Sequence, residues 1–281
     1  MTRTAFEEGV PFVRVQSCGN DFLLVDNRRG RLASNAHDLA RYVCRRGISE
    51  GADGLLLAER GEGNTEIRMR LINADGSEGE MCGNGAIAFS RVAVERFGVP
   101  SSFTLQTLGG DVAASVMGDE VKVTLRALSP AIELRTLRAE GERVDVAYLE
   151  VYKVPHVVVR LSERTQVSEA ANRLGSALCH HPAFSRGANV NFAFISAPDL
   201  LEVRTFERGV DAQTLSCGTG SIASFLALRS VAKLSDHVEV QTPGGALKIR
   251  ASGLVDAPDI GMKGRPRVIS EGILLKDAWA T

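Results

Sequence analysis

Met81-Cys82-Gly83-Asn84-Gly85 and Ser216-Cys217-Gly218-Thr219-Gly220 are two versions of one motif. Each sets a thiol directly before Gly-x-Gly, and each leads into a run of helical character. The two cysteines stand 135 residues apart. The same offset carries Leu105-Gln106-Thr107-Leu108-Gly109-Gly110 onto Val240-Gln241-Thr242-Pro243-Gly244-Gly245. It also carries the strand entry Asp21-Phe22-Leu23-Leu24 onto His156-Val157-Val158-Val159. One constant offset across separate motifs points to a duplicated unit.

Around the first thiol, short apolar or alternating runs predict strands over 12–16, 22–26, 55–58, 67–72, 103–107, 111–116 and 120–125. Helices are expected over 37–46 and from Cys82 to about Phe97, where Gly98 and Pro100 close the run. The fold class is therefore α+β, as two similar domains. Pro130 interrupts the pattern within Leu128–Leu137, which divides the chain into halves 1–131 and 132–281. The last strand-like run, about 268–275, is expected to pack back on the first half.

The chain has 281 residues, 44% hydrophobic and 24% charged, enough for an ordinary globular core. The formal net charge of −1 favours neither nucleic acid nor an anionic membrane. No apolar stretch is long enough to span a bilayer, and the first residues lack the apolar core of a signal peptide. A cytoplasmic protein is expected. Its five cysteines are Cys18, Cys44, Cys82, Cys179 and Cys217, with no Cys-x-x-Cys spacing. Neither a zinc site nor a disulfide framework is suggested. Cys18, Cys44 and Cys179 read as small buried hydrophobes.

Cys82 and Cys217 read differently because they are matched. Two thiols from repeat-equivalent positions can serve opposite faces of one carbon, one taking a proton and the other returning one. Backbone N–H groups at a helix start favour negative charge, which would lower a thiol's pKa. The N–H groups of Gly83, Asn84, Gly218 and Thr219 could also clamp a substrate carboxylate and the enolate-like charge that builds on it. Glycine lets the backbone approach the ligand closely. A protein that only grips a carboxylate would need no ionisable group there.

The chain resembles the diaminopimelate epimerase family, the pyridoxal-independent amino-acid epimerases. The matching stretches are Gly19-Asn20-Asp21-Phe22, Gly51-Ala52-Asp53-Gly54, Asn73-Ala74-Asp75-Gly76-Ser77, Pro155-His156, Gly187-Ala188-Asn189-Val190-Asn191-Phe192, Glu207-Arg208-Gly209, Pro243-Gly244-Gly245 and the two thiol motifs. The resemblance implies two pseudo-symmetric domains, each a central helix wrapped by a curved, mostly antiparallel sheet. It implies Cys82 and Cys217 as the acid/base pair, with His156 and Glu207 beside them to tune them. Asn20, Asn73, Asn189 and Arg208 are implied to hold the substrate's distal end. No cofactor and no metal are implied. The partner is a small amino-acid substrate, L,L- and meso-diaminopimelate being the leading pair, and a homodimer is left open.

The chain departs from the family pattern at Val154, where Asn stands in the family, and at Gln16-Ser17-Cys18. It departs again at Ala86-Ile87-Ala88 and at Val210–Thr214, which carries one extra residue. Losing a hydrogen-bonding side chain can change the preferred substrate. The competing expectation is a racemase of another amino acid, such as histidine, on the same scaffold.

Overall fold

The computed structural model describes residues 9–32, 35–63, 65–126, 130–253 and 258–278. The start of the expected boundary stretch, at Leu128 and Ser129, lies outside the described residues. The chain forms two compact units, Met1–Val121 with Arg265–Thr281, and Lys122–Gly264. Among the described residues, no helix is long and apolar enough to cross a membrane.

The first unit runs β1 (Val10–Ser17), β2 (Asn20–Asp26), α1 (Ala36–Val43), β3 (Gly54–Arg60), β4 (Ile67–Asn73), β5 (Glu78–Gly79), α2 (Gly83–Arg96), β6 (Ser102–Thr107) and β7 (Gly110–Met117). β8 (Glu120–Leu125) leads into the second unit. That unit runs β9 (Glu133–Ala139), β10 (Glu142–Val151), β11 (Val154–Leu161), α3 (Gln166–Cys179), β12 (Asn189–Ala197), β13 (Leu200–Glu207), β14 (Ala212–Thr214), α4 (Gly218–Val231), β15 (His237–Thr242), β16 (Gly245–Gly253) and β17 (Pro258–Gly264). The last strand, β18 (Arg267–Leu274), returns to the first unit and pairs antiparallel with β1, Val10 opposite Leu274.

The two units share one wiring. β2–β3 and β4–β6 are parallel pairs in the first, and β11–β12 and β13–β15 are parallel pairs in the second. The remaining pairings given by register are antiparallel, so each sheet is mixed, with antiparallel pairs in the majority. The parallel pairs exist because a helix carries the chain from one strand to the next, α1 or α3 in one crossover and α2 or α4 in the other.

Strand alternation sorts the side chains between those helices. In the second unit Val157, Val159, Val190, Phe192 and Phe206 pack with Val167, Ala170, Ala171, Leu174 and Leu178 of α3. The alternate residues His156, Asn189, Asn191, Thr205 and Glu207 therefore face the opposite side, toward α4. In the first unit Leu23, Val25, Leu55, Leu57 and Ile72 pack with Leu39, Ala40 and Val43 of α1. Phe22 turns the other way and approaches Gly85 of α2.

α1 and α3 are amphipathic, whereas α2 and α4 are apolar nearly all round, as a central helix must be. α2 is buried from Gly83 through Ser90 and again at Val92 and Ala93. The buried hydroxyls of these two helices bond back to carbonyls one turn earlier: Ser90 to Ala86 at 2.7 Å, Ser221 to Cys217 at 2.8 Å and Ser224 to Gly220 at 2.8 Å.

The duplication extends to single hydrogen bonds. Gly109 N–H donates to the Glu80 carbonyl and Gly244 N–H to the Leu215 carbonyl, each at 2.7 Å. Thr107 and Thr242 hydroxyls donate to the carbonyls of Gly110 and Gly245. All these pairs are 135 residues apart. The strand entry is a correction to that single offset. Leu23 pairs with Arg14 as Val157 pairs with Tyr148, so Phe22, not Asp21, occupies the place of His156. The offset is 135 at β3 and β12, where Leu55 answers to Val190, and 134 again at β4 and β13, where Ile72 answers to Phe206; the turn after β13 then restores 135. Asn73 N–H reaches the Ser77 carbonyl in the first unit, whereas Glu207 pairs with Ala212 in the second. The longer turn closes through Asp211, whose φ is +53°.

Candidate active site

Cys217 is the N-cap of α4, with an extended backbone (φ −123°, ψ 114°). Its sulfur accepts the Gly220 N–H at 3.3 Å, the bond that a Ser or Asp cap would make. The Thr219 hydroxyl lies 3.6 Å from the sulfur. The thiol is buried, and Glu207 at the end of β13 hydrogen-bonds it. Burial raises the Cys217 pKa well above its usual value, and the Glu207 charge and hydrogen bond push it the same way. Thr219 and the Gly220 N–H pull it down but do not prevail. The helix end thus favours the thiolate, as the sequence suggests, while net ionisation goes the opposite way from the expected lowering.

His156 and Asn189 are register partners in the parallel β11–β12 pair. His156 is fully enclosed, and burial, aided by the Arg208 charge, lowers its pKa to about 3. Its Nδ1 lies 3.3 Å from the amide nitrogen of Asn191, and among the described residues Nε2 has no hydrogen-bond partner. Asn189 Oδ1 accepts the backbone N–H of Arg208 at 2.9 Å, which ties β12 to the turn after β13. The Arg208 guanidinium donates to the Arg186 carbonyl at 3.0 Å. Cys217, Glu207, His156, Asn189, Arg208, Gly218 and Thr219 therefore gather at one end of the second unit, where β11, β12 and β13 meet the start of α4.

The first unit repeats the thiol. Cys82 is the N-cap of α2 (φ −131°, ψ 119°), and its sulfur accepts the Gly85 N–H at 3.3 Å. It is less enclosed than Cys217. Asn20 Oδ1 lies 3.5 Å from the Cys82 sulfur as acceptor. The Asn20 amide nitrogen donates to Asp53 at 2.6 Å, and that fixes which end of the amide faces the thiol. Asp53 is in turn held by Arg46 at 2.9 Å. Gly83 and Asn84 are buried in the first turn of α2. Asn73 ends β4 opposite Gly54 and donates to the Ser77 hydroxyl at 2.9 Å. Its turn is anchored by α1, through His37 Nδ1 at the Gly76 carbonyl and Arg41 at the Asp75 carbonyl, both 2.9 Å. Cys82, Asn20, Asn73, Gly83 and Asn84 are thus collected within the first unit.

Sequence reasoning passed over Asp53, Thr205 and Asn191 as participants. For Asn191 a signal existed: it alternates with apolar Val190 and Phe192 and so shares the face of Asn189. Of the three cysteines read as buried hydrophobes, Cys44 and Cys179 are buried, but Cys18 is half-exposed at φ +48° in the β1–β2 turn. Val154 is buried opposite Val151, next to a turn in which Tyr152 and Lys153 both have positive φ. Cys179, His180 and Asp211 bring ligand-type atoms within 4.8 Å of one another, one short of a closed four-ligand zinc site. His180 and Asp211 are hydrogen-bonded at 2.9 Å, which clips the longer turn to the end of α3.

The diaminopimelate epimerase family model matches residues 12–128 and 152–269. A diaminopimelate epimerase of Methanothrix thermoacetophila is 36% identical over 86% of this chain and 89% of its own length. One from Methanothermobacter thermautotrophicus is 33% identical over 95% and 99%. A phenazine biosynthesis protein of the PhzF family from Bacillus anthracis superposes with a TM-score of 0.72 at 15% identity, covering 95% of this chain and 99% of that one. That likeness speaks for the fold alone.

Proposed function

This chain belongs to the diaminopimelate epimerase family, and we propose that it interconverts L,L- and meso-diaminopimelate by two-base thiol chemistry. It is an isomerase, and its substrate is a small amino acid met in the cytoplasm.

The observation that carries the mechanism is the identical placement of Cys82 and Cys217 as helix N-caps, each sulfur bonded to the third N–H of its helix. A sulfur at that place lies beside the helix N–H groups that have no partner within the helix itself. A substrate carboxylate drawn to such helix N–H groups brings its α-carbon to a thiol. One thiolate takes the α-proton, and the electron pair moves onto the carboxylate as enolate character. The other thiol then delivers its proton to the opposite face of the carbon. Charge balances throughout: one sulfur becomes neutral as the other becomes anionic. Helix N–H groups aimed at the growing carboxylate charge supply the stabilisation.

The environment of Cys217 gives it a defined starting role. Burial and Glu207 favour its protonated form, which suits it to the acid step. In the reverse direction Cys217 must be the thiolate, and the Gly220 N–H and the Thr219 hydroxyl are placed to receive that charge. Asn20, Asn73, Asn189 and Arg208 would hold the distal amino acid group, Arg208 through a forked contact to its carboxylate.

Purified protein incubated with L,L-diaminopimelate should generate the meso isomer on a chiral column, without added pyridoxal phosphate or metal. Conversion of L- to D-histidine with no turnover of diaminopimelate would overturn the substrate assignment and leave the thiol chemistry standing.

A further inference from the structure

Asn191 is the third residue of β12, directly opposite Thr205 on β13 and Val158 on β11. A polar residue at a fully buried strand position must find partners for both ends of its amide. The amide nitrogen lies 3.0 Å from the Val157 carbonyl, 3.3 Å from His156 Nδ1 and 3.5 Å from the Asn189 carbonyl. The Thr205 hydroxyl donates to Oδ1 at 3.0 Å. Turning the amide over would put its oxygen against two carbonyl oxygens, so the orientation is fixed by chemistry. One N–H goes to Val157, and the other is left for His156.

This orientation decides which ring nitrogen of His156 carries its proton. Nδ1 faces a donor and must therefore accept, so a neutral ring carries its hydrogen on Nε2. Nε2 then carries an N–H with no acceptor among the described protein residues. The lever is itself locked. A Cβ on Gly220, in the first turn of α4 beside Cys217, would collide with Asn191 Oδ1, so helix and amide are in close contact.

We propose that Asn191 is a positioning residue for the epimerisation. It holds His156 as the neutral Nε2–H tautomer, so that the ring offers a bound amino acid a hydrogen-bond donor and neither a base nor a cation. The proposal rests on the reading of the chain as an amino-acid epimerase, since the acceptor it assigns to Nε2–H is an anionic oxygen of the substrate. Burial keeps the ring neutral across the working pH range and agrees with this role.

The test is the nitrogen-15 NMR signature of the His156 ring in the full-length protein, assigned by its loss in His156→Gln. Wild type should show an unprotonated, accepting Nδ1 and a protonated Nε2, unchanged between about pH 6 and 9. Asn191→Asp replaces the donor with an acceptor. It should move a proton onto Nδ1 and lower kcat by up to about 100-fold, the effect of a misaligned group, with a smaller change in KM. Asn191→Leu should lose the fixed tautomer without gaining the reversed one. A wild-type ring with its proton on Nδ1 would overturn the proposal, even if neither variant folds. So would an Asn191→Asp ring identical to wild type. A wild-type Nε2–H tautomer in a protein that exchanges no substrate proton would instead count against the epimerase reading alone.

Discussion

Glu207 hydrogen-bonds the buried thiol of Cys217, and its negative charge adds to burial in holding that thiol protonated. The same sulfur accepts a helix N–H and lies beside a hydroxyl, groups that favour the thiolate. Cys217 is thus held between two opposed influences, which suits a group that must both give and take a proton.

Replacing Glu207 by Gln removes the charge and keeps the shape. A like charge beside a thiolate raises the thiol pKa, so its removal must lower it. Alkylation of Cys217, followed by mass spectrometry against pH, should therefore show its ionisation midpoint move down in Glu207→Gln. It should stay above the ordinary thiol value, because burial is the larger cause. The kcat should fall by about 10-fold or more as the acid–base balance is lost. A midpoint that stays put or rises would contradict the role given to Glu207.

His156 makes stability depend on pH in one direction. Its pKa is about 3 in the fold against an ordinary 6.5, so between these values the unfolded chain binds the proton and the native chain does not. Stability from this group is complete above pH 6.5 and is lost as pH falls toward 3, by roughly 5 kcal/mol at the limit. His156→Gln removes this titration. Urea midpoints measured from pH 7 down to pH 4 should fall more steeply for wild type than for the variant. Parallel lines would show that the ring is not sealed in its neutral form.

The two motif glycines should not be equally tolerant. A Cβ on Gly85 would meet Cys82 Cβ at 3.3 Å and the Phe22 ring at 3.5 Å, contacts that a small shift relieves. A Cβ on Gly220 would strike the Asn191 amide, which is pinned by bonds to Val157, His156 and Thr205. Gly220→Ala should cost about 1–3 kcal/mol of stability in urea unfolding, as an overpacked core does. Gly85→Ala should cost less, because its contacts yield to a shift of a few tenths of an ångström. The reverse ranking would mean that Asn191 can move aside.

The repeat was legible because it rests on residue types that tolerate little change: a thiol, Gly-x-Gly, and the Gly-Gly hairpins at Gly109 and Gly244. The helix starts followed from those motifs, and the strands of the first unit from alternation. The offset of the early strands was not legible, because Leu23-Leu24 and Val157-Val158-Val159 are apolar runs without internal phase. Only the face each residue turns to α1 or α3 sets the register. The site roles of Asn20, His156, Glu207 and Arg208 came from family resemblance. The partners that orient them, Asp53 for Asn20 and Asn191 for His156, depend on strands being laid side by side. Nor could sequence foresee that burial would outweigh the helix end at Cys217, since burial belongs to the assembled fold.

Deuterium labelling tests most directly whether two sulfurs serve one carbon. Wild-type protein turns over L,L-diaminopimelate in deuterium oxide, and each isomer is examined early in the reaction. The meso product should carry solvent deuterium at the inverted carbon while recovered L,L substrate still carries hydrogen, and Cys82→Ala and Cys217→Ala should each abolish conversion. Product that retains the original hydrogen, or conversion that survives the loss of either sulfur, would contradict the two-thiol mechanism.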